Sequence, residues 1–308
     1  MNSKIAIIGG TGFIGKHLVG YFIKNNLNDI SLLTRNKNLK SFDKCVTLIE
    51  GNLNSRNSLD TLTNNKNIVI NLAYLNSDLQ TNINAIEILV ESCIKSGVSK
   101  LIHFSTAIVA GRVKDKIINE ETVCNPFNEY EQTKLAIENK LLSLTKNKLE
   151  LIILRPTAVF GQGGLNLVKT IKSNLNQPRI FSSFQLILNS YRLMHLVSVD
   201  YVVEAVNYLI TTEENLSEEI FILSMDDQKN NNYFYIANRI ALISNNKMFQ
   251  KRFFPFSRIL LEFLLRLLGR SQIKPNQIYS NQKIKKFGFS CELSFENSID
   301  EFIKSTIK

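Results

Sequence analysis

The feature that most constrains the fold is a glycine motif directly behind a short apolar run near the N-terminus. Residues 4–8 precede Gly9, Gly12 and Gly15, which follow the spacing Gly-x-x-Gly-x-x-Gly. A run of this length is typical of a buried parallel strand, and glycines behind it are typical of a turn into a helix. The pattern predicts the strand–turn–helix unit that opens a Rossmann domain and binds a dinucleotide.

Each glycine has a separate role in this prediction. Gly9 allows the tight turn, Gly12 lets the backbone approach a pyrophosphate, and Gly15 lets the helix pack closely against the strand. The first N–H groups of the helix have no partner within it and form the positive end of its dipole. We therefore expect the turn to bind an anion.

The chain alternates strands and helices as far as residue 223. Predicted strands are 4–8, 30–33, 46–50, 67–72, 100–105, 149–154, 196–199 and 220–223, and predicted helices are 15–24, 59–62, 82–96, 130–145, 165–175 and 200–210. This alternation predicts an α/β fold, a Rossmann doubly wound parallel sheet with a smaller, mixed α/β C-terminal substrate lobe. We expect residues 1–165 and 196–224 to form the NAD(P)-binding domain, and residues 166–195 and 225–308 to form the substrate-binding lobe.

The end of the second predicted strand bears on the choice of cofactor. A site selective for NAD places Asp or Glu there, where it binds the ribose hydroxyls. This chain has Thr34 followed by Arg35. A guanidinium suits the 2′-phosphate of NADP, so we expect NADP, with NAD as the alternative. A solvated loop arginine is the competing interpretation of Arg35.

A phenol and an ammonium are predicted on one face of the helix over 130–145. Tyr130 and Lys134 are four residues apart, so they lie one above the other. A free tyrosine has a pKa of about 10, and a nearby ammonium lowers it. A phenol tuned in this way can exchange a proton with a carbonyl or an alcohol. Thr106, at the end of the strand over 100–105, can orient the same oxygen, although capping of the strand end is an alternative role.

Together these residues resemble the extended short-chain dehydrogenase/reductase family, the NAD-dependent epimerase/dehydratase family of nucleotide-sugar epimerases, dehydratases and reductases. The glycine motif matches, as do Tyr130, Lys134 and Thr106, which stands 24 residues before Tyr130. The resemblance covers residues 4–210 well and residues 211–308 loosely.

The resemblance implies that Tyr130, Lys134 and Thr106 are catalytic. It also implies a larger set of cofactor contacts. This set is Gly9, Gly12, Phe13, Ile14, Gly15, Arg35, Asn52, Leu53, Leu72, Ala73, Tyr130, Lys134 and Pro156. Asn52 departs from the family's usual aspartate, but its amide oxygen can still accept a hydrogen bond from the adenine amine.

The two residues after Thr106 narrow the reaction that the resemblance implies. The family's 4,6-dehydratases have an Asp-Glu pair there, and its reductases that also epimerise carbons 3 and 5 have a cysteine at the second position. Ala107 and Ile108 do no proton chemistry. The remaining expectation is NADP-dependent reduction of a 4-keto group on a nucleotide-linked sugar, with an NAD-dependent 4-epimerase as the alternative. A non-catalytic NADP-binding regulatory protein is a hypothesis of another class, and it has no need of Thr106, Tyr130 and Lys134 together.

Composition limits the classes of partner. The net charge of +10 suits polyanionic partners, although a solvated lysine-rich surface explains it equally well. The chain has no nucleic-acid-binding motif, so we expect no nucleic acid. The spacing of its four cysteines is not that of a disulfide framework and its three histidines are scattered, so we expect a cytoplasmic protein without a metal site.

One C-terminal segment, 253–268, is unusually apolar. Arg258, Glu262, Arg266 and Arg270 recur every four residues and predict a helix with one narrow polar stripe. We expect its wide apolar face to pack within the substrate lobe or at a dimer interface, and contact with a membrane surface is the alternative. The family resemblance also implies a homodimer.

Overall fold

The strand predicted over 196–199 lies in a small separate sheet, and the other seven predicted strands form a single sheet in the computed structural model. It describes residues 3–27, 29–36, 45–176, 189, 192–245, 257–269 and 274–307. The strands are β1 Ile5–Ile8, β2 Ile30–Thr34, β3 Val46–Glu50, β4 Ile68–Asn71, β5 Lys100–Phe104, β6 Ile117–Ile118, β7 Glu150–Pro156, β8 Ala158–Phe160, β9 Leu196–Ser198, β10 Glu219–Leu223 and β11 Ile278–Tyr279.

Helices connect these strands and follow them. The helices are α1 Phe13–Lys24, α2 Arg56–Thr63, α3 Leu79–Lys95, α4 Glu129–Thr145, α5 Val168–Asn176, α6 Val199–Thr211, α7 Tyr233–Ile243, α8 Arg258–Leu267, α9 Gln282–Lys286 and α10 Phe295–Ile307. A 3-10 turn covers Ala107–Ala110. Within the described ranges, none of the helices is long and apolar enough to cross a membrane.

The main sheet has seven strands in the order β10-β7-β5-β4-β1-β2-β3. Strand β1 pairs in parallel with β2 on one side and with β4 on the other. The chain thus adds β2 and β3 on one side of β1, and then crosses back to add β4, β5, β7 and β10 on the other side. In such sheets ligands bind outside the carboxyl ends of the strands at this switch point. The predicted fold class is confirmed.

Burial explains why the apolar runs could be read as strands. Every residue of β1, β2, β4 and β5 is buried, so these strands have no polar face and no alternation. Side chains from the sheet, including Val69, Leu101 and Ile153, share one core with Leu89 of α3 and Leu141 of α4. This core holds α3 and α4 against the sheet.

The chain folds into two compact units, each built from three segments of the sequence. The first is Met1–Thr106, Glu129–Arg155 and Val206–Phe221, and the second is Ala107–Asn128, Pro156–Ala205 and Ile222–Lys308. The second unit contains two small parallel sheets, β6 with β11 and β8 with β9. The functional division into a cofactor domain (1–165 and 196–224) and a substrate lobe stays a prediction.

Three helices begin two or three residues earlier than the apolar periodicity indicated, one of them α2, which begins at Arg56 rather than at residue 59. Helix α1 begins at Phe13, directly after Gly12, because the glycine turn leads straight into it. Helix α3 begins at Leu79, since Asp78 caps it and accepts a hydrogen bond of 2.8 Å from the Thr81 N–H. Its first turn is polar and exposed, which explains why hydrophobic spacing indicated only the part from Asn82 onward.

A buried carboxylate organises the second unit. Asp226 Oδ2 lies 2.6 Å from His195 Nδ1 and accepts a 3.0 Å hydrogen bond from the Tyr279 backbone N–H. Asn231 Nδ2 donates to its other oxygen at 3.3 Å. All four residues are buried. Asp226 therefore ties together the starts of β9 and α7 and strand β11.

We expect Asp226→Asn to lower the free energy of unfolding by about 3 kcal/mol, because an amide cannot accept on both sides and leaves buried donors without partners. Urea denaturation measures the change. Asp227→Asn is the matched control: Asp227 pairs with Lys285 at the half-exposed surface, and its loss should cost less than about 1 kcal/mol. Equal losses in the two variants would contradict this role of Asp226.

Candidate active site

The turn between β1 and α1 is built by two backbone constraints. Gly9 has φ +81°, a conformation that L side chains rarely adopt, and its carbonyl accepts a 3.0 Å hydrogen bond from the Gly12 N–H. A Cβ on Gly15 would lie 2.4 Å from the Gly9 oxygen and 2.5 Å from the Gly10 Cα. Only glycine at position 15 lets α1 approach the end of β1 this closely.

Gly12 is different, because neither its backbone conformation nor its packing within the chain requires a glycine. Its φ of −76° is open to any residue, and an added Cβ would meet only the Gly9 oxygen, at 3.2 Å. Gly12 is exposed and is the N-cap of α1, and Phe13 and Ile14 follow as the first, half-buried residues of the helix. An open side at a helix N-terminus fits a pyrophosphate group, so the turn fits the dinucleotide predicted from sequence.

The end of β2 carries the predicted phosphate contact. Thr34 is buried, and its Oγ1 accepts a 3.2 Å hydrogen bond from the Asn36 N–H, which closes a tight turn around Arg35. The side chain of Arg35 is exposed there. An exposed guanidinium at the carboxyl end of β2 fits a 2′-phosphate.

Residues after β4 pack against the glycine turn. The Leu72 N–H donates to the Ile8 oxygen at 2.9 Å, which continues the pairing of β4 with β1. A Cβ on Gly9 would lie 3.2 Å from both the Ala73 nitrogen and the Leu72 Cβ. The structure therefore brings together Gly9, Leu72 and Ala73, all of which sequence analysis assigned to the cofactor.

Three other predicted contacts have less direct support. Asn52 is exposed, and its Oδ1 accepts from the Asn54 N–H at 2.9 Å, so one lone pair of the amide oxygen is already used. The Leu53 side chain belongs to the core of the first unit. Pro156 is the last residue of β7 and belongs to the second unit. Their roles in cofactor binding stay predictions.

The phenol and the ammonium of α4 share an aromatic neighbour. Tyr130 is 40% exposed, and its ring meets the Tyr74 ring edge-on at 5.1 Å. Lys134 is buried, and its Nζ lies 5.0 Å from the centre of the same Tyr74 ring. The Lys134 Nζ donates a 3.0 Å hydrogen bond to the carbonyl of Phe104, at the end of β5.

Burial dominates the electrostatics of Lys134. It lowers the pKa of Lys134 to about 8, and the charge of Glu138 opposes that shift. Glu138 lies one turn further along α4 and pairs with Arg155, whose Nη2 donates to it at 2.6 Å. Both members of this pair are buried. The pair fixes α4 to β7 and holds the Glu138 carboxylate one helical turn from Lys134.

The pKa of Tyr130 differs from the sequence prediction. Burial and the neighbouring Tyr74 raise it above the usual tyrosine value, whereas the i, i+4 lysine was expected to lower it. The reason is geometric: the Lys134 ammonium is directed to the Phe104 carbonyl and the Tyr74 ring. An ammonium has three donors, so a bond to a phenolate oxygen remains open to Lys134.

The two hydroxyls after β5 have different surroundings. Thr106 is half-buried, two residues beyond the carbonyl that binds Lys134. Ser105 Oγ is buried and has no hydrogen-bond partner among the described residues, so it does not cap the strand there. Of the two, Thr106 remains the candidate for orienting a substrate oxygen.

Sequence reasoning did not identify a buried polar pair behind the site. Asn71 Nδ2 lies 3.1 Å from His103 Nδ1, and the Asn71 Oδ1 accepts from the Ala73 N–H at 3.1 Å. Burial, then the charge of Lys134, holds the pKa of His103 well below its ordinary value, so the imidazole is neutral. Asn71 is the last residue of β4 and His103 the next to last of the neighbouring β5, and polar residues at these positions could have indicated the pair. Glu138, four residues after Lys134, could have been found by helical spacing.

Comparisons with known proteins agree with this geometry. The model of the NAD dependent epimerase/dehydratase family matches residues 5–223. A dTDP-D-glucose 4,6-dehydratase of Dictyostelium discoideum is 28% identical over 198 residues, which are 51% of this chain and 44% of that protein. A UDP-glucose 4-epimerase of Bacillus subtilis is 29% identical over 179 residues, 51% of this chain and 53% of that protein. The chain spans about half the length of the curated relatives it matches.

Similarity to solved structures extends over nearly the whole chain. The UDP-glucuronic acid 4-epimerase of Bacillus cereus, solved in complex with NAD, superposes with a TM-score of 0.74 at 19% identity and covers 98% of this chain and 96% of that one. At this identity the likeness shows the fold alone. The family match over residues 5–223, on a sheet and glycine turn of this construction, shows that the chain belongs to the NAD-dependent epimerase/dehydratase family.

Proposed function

We propose that this protein is an NADP-dependent oxidoreductase that reduces a 4-keto group on a nucleotide-linked sugar. The observation that carries the proposal is the exposed Arg35 behind a buried Thr34 at the end of β2, where an NAD-selective site has an acid. The cysteine spacing supports a cytoplasmic location. The sugar class is supported by the relatives, which are named for dTDP-glucose and UDP-glucose.

Three residues of the first unit have separate roles in the proposed reaction. When bound, the reduced cofactor supplies a hydride to the keto carbon. Tyr130 gives its phenolic proton to the carbonyl oxygen, so the products are an alcohol and the oxidised cofactor. Lys134 stabilises the phenolate left on Tyr130, and Thr106 donates a hydrogen bond to the same substrate oxygen.

The residues after Thr106 support simple reduction over dehydration. Elimination of water needs an acid and a base near the sugar. Ala107 and Ile108 supply neither. Reduction needs only the Tyr130 proton and the hydride, both of which the proposed site provides.

An NAD-dependent 4-epimerase is the second candidate. It is favoured by the Bacillus cereus 4-epimerase, which carries NAD and shares the fold over nearly the whole chain. An epimerase retains its cofactor and reuses it, whereas a reductase exchanges it. Cofactor that co-purifies as NAD would therefore support the epimerase, and exchangeable NADPH would support the reductase.

We expect Arg35→Ala to weaken NADPH binding by roughly tenfold to a hundredfold, because charge-assisted bonds to the 2′-phosphate are lost, and to leave NADH binding unchanged. Fluorescence titration with each cofactor measures the change. Arg56→Ala, which removes an exposed arginine of α2, is the control and should bind both cofactors as the native chain does. Equal loss of NADPH and NADH affinity would refute the phosphate contact.

We expect Tyr130→Phe to lower turnover by about 10²–10⁴-fold while cofactor affinity stays within a fewfold, because only the proton donor is lost. Turnover is measured with nucleotide-linked 4-keto sugars. Tyr74→Phe is the matched control, since it keeps the ring beside Tyr130 and Lys134 and should retain turnover within a fewfold. A fully active Tyr130→Phe enzyme would rule out the mechanism, and a native protein that binds NADPH without any turnover would favour the non-catalytic alternative.

The pKa of Lys134 predicts how turnover changes with pH on the alkaline side. The fraction of ammonium falls as pH rises through about 8, so turnover should decline there. Glu138→Gln removes the charge that raises this pKa, and the decline should move to lower pH. Glu87→Gln, at the surface pair with Lys140, should leave the profile in place. An unshifted profile in a folded Glu138→Gln protein would show that Glu138 does not tune Lys134.

A further inference from the structure

Helix α8 is apolar on two opposite faces. Leu261 and Leu265 are buried, at 3% and 4% exposure. Ile259, Phe263 and Leu267 are 82%, 56% and 68% exposed. We name these three residues the outer stripe. Helix α8 is therefore buried on one side and exposed on the other.

Helix geometry places the outer stripe opposite the buried leucines. Residues four apart lie nearly above one another, so Ile259, Phe263 and Leu267 form one continuous strip along the helix. Sequence analysis expected a single narrow polar stripe, with the rest of the helix forming one wide apolar face. Instead, Glu262 and Arg266 lie at the border between the two apolar faces. The side chains of Arg258 and Arg270, and residues 253–256, lie outside the described residues.

An outward apolar strip is unusual on the surface of a single chain. A surface helix ordinarily turns its polar residues to water, and a helix that is apolar all round is normally covered. The three side chains present an area on the order of 300–400 Å². A standard interface between proteins needs about 800 Å² per partner, so the strip by itself is too small to hold two copies together.

The charge of the sequence that contains α8 favours a lipid surface over another apolar partner. The sequence from 247 to 274 contains seven Lys and Arg residues and one acid, Glu262, a net charge of +6 out of +10 for the whole chain. Arg266, beside the strip, is exposed. Apolar side chains next to a positive edge are the features by which a helix lies in the interface of an anionic membrane.

We propose that α8 docks in the plane of an anionic membrane, with the outer stripe inserted at the boundary between headgroups and acyl chains. The helix has 10 residues and is about 15 Å long, so it lies along the surface. Insertion to about 5–10 Å accommodates the three side chains. Arg266 then meets the acidic headgroups. The proposal concerns a surface of the second unit and does not depend on the reaction that the first unit catalyses.

Vesicle sedimentation tests the proposal. The full chain is mixed with vesicles of phosphatidylcholine containing about one third phosphatidylglycerol, and with vesicles of phosphatidylcholine alone. We expect binding to the anionic vesicles that weakens as salt rises, and at least tenfold weaker binding to the neutral ones. Phe263→Asp should lose roughly tenfold or more of the affinity, and Arg266→Glu should weaken binding to anionic vesicles only.

Leu242→Asp is the matched control, because Leu242 is an exposed apolar residue of α7 outside the strip, and it should bind vesicles as the native chain does. Circular dichroism and thermal melting verify that every variant is folded. The proposal is overturned if the native chain does not sediment with anionic vesicles, or if Phe263→Asp and Leu242→Asp bind alike. It is also overturned if light scattering shows that Phe263→Asp converts a dimer into a monomer, since the strip would then cover a second copy.

Discussion

The approach of α1 to the end of β1 is the constraint from which the rest of the first unit follows. A Cβ at Gly15 would lie 2.4 Å from the Gly9 oxygen, so a side chain there would push the helix away from the strand. The same Gly9 has Leu72 and Ala73 against its other side. One backbone contact therefore sets the position of the helix N-terminus and of the residues after β4 together. The anion site and the edge of the sheet around it cannot be adjusted separately.

Lys134 connects that edge to Tyr130. Its buried ammonium binds the Phe104 carbonyl, so it holds α4 to the end of β5 even without a substrate. Burial and the neighbouring Tyr74 raise the pKa of Tyr130, although sequence spacing predicted that Lys134 would lower it. Burial lowers the pKa of one group and raises that of the other, so both shifts disfavour charge. The raised pKa means that the Tyr130 phenol keeps its proton near neutral pH.

Sequence analysis predicted correctly those elements whose burial produces a local run of apolar residues. Strands β1 and β4 are uniformly buried, and their apolar runs placed them within about a residue of the observed bounds. Strands β6 and β11 have two residues each, too few to show any period, and they were missed. In the site, spacing indicated Tyr130 and Lys134 because both lie on one helix. The contact of Tyr74 with both of them depends on a tertiary approach between α4 and the residues after β4, which no local pattern encodes.

Most of the second unit after β10 lies beyond the match to the family model. The family model ends at residue 223, before α7, although solved relatives share the fold over nearly the entire chain. Fold without sequence similarity means that the backbone scaffold is kept while the side chains on it differ. Helix α8 illustrates this difference. Its buried residues Leu261 and Leu265 pack as the fold requires, whereas the exposed side chains of the outer stripe are not constrained by that packing. An exposed apolar strip beside a positive edge does not stabilise a protein that contacts only water. We therefore regard the surface of α8, together with Arg35, as the features that adapt a common catalytic scaffold to this protein's own surroundings.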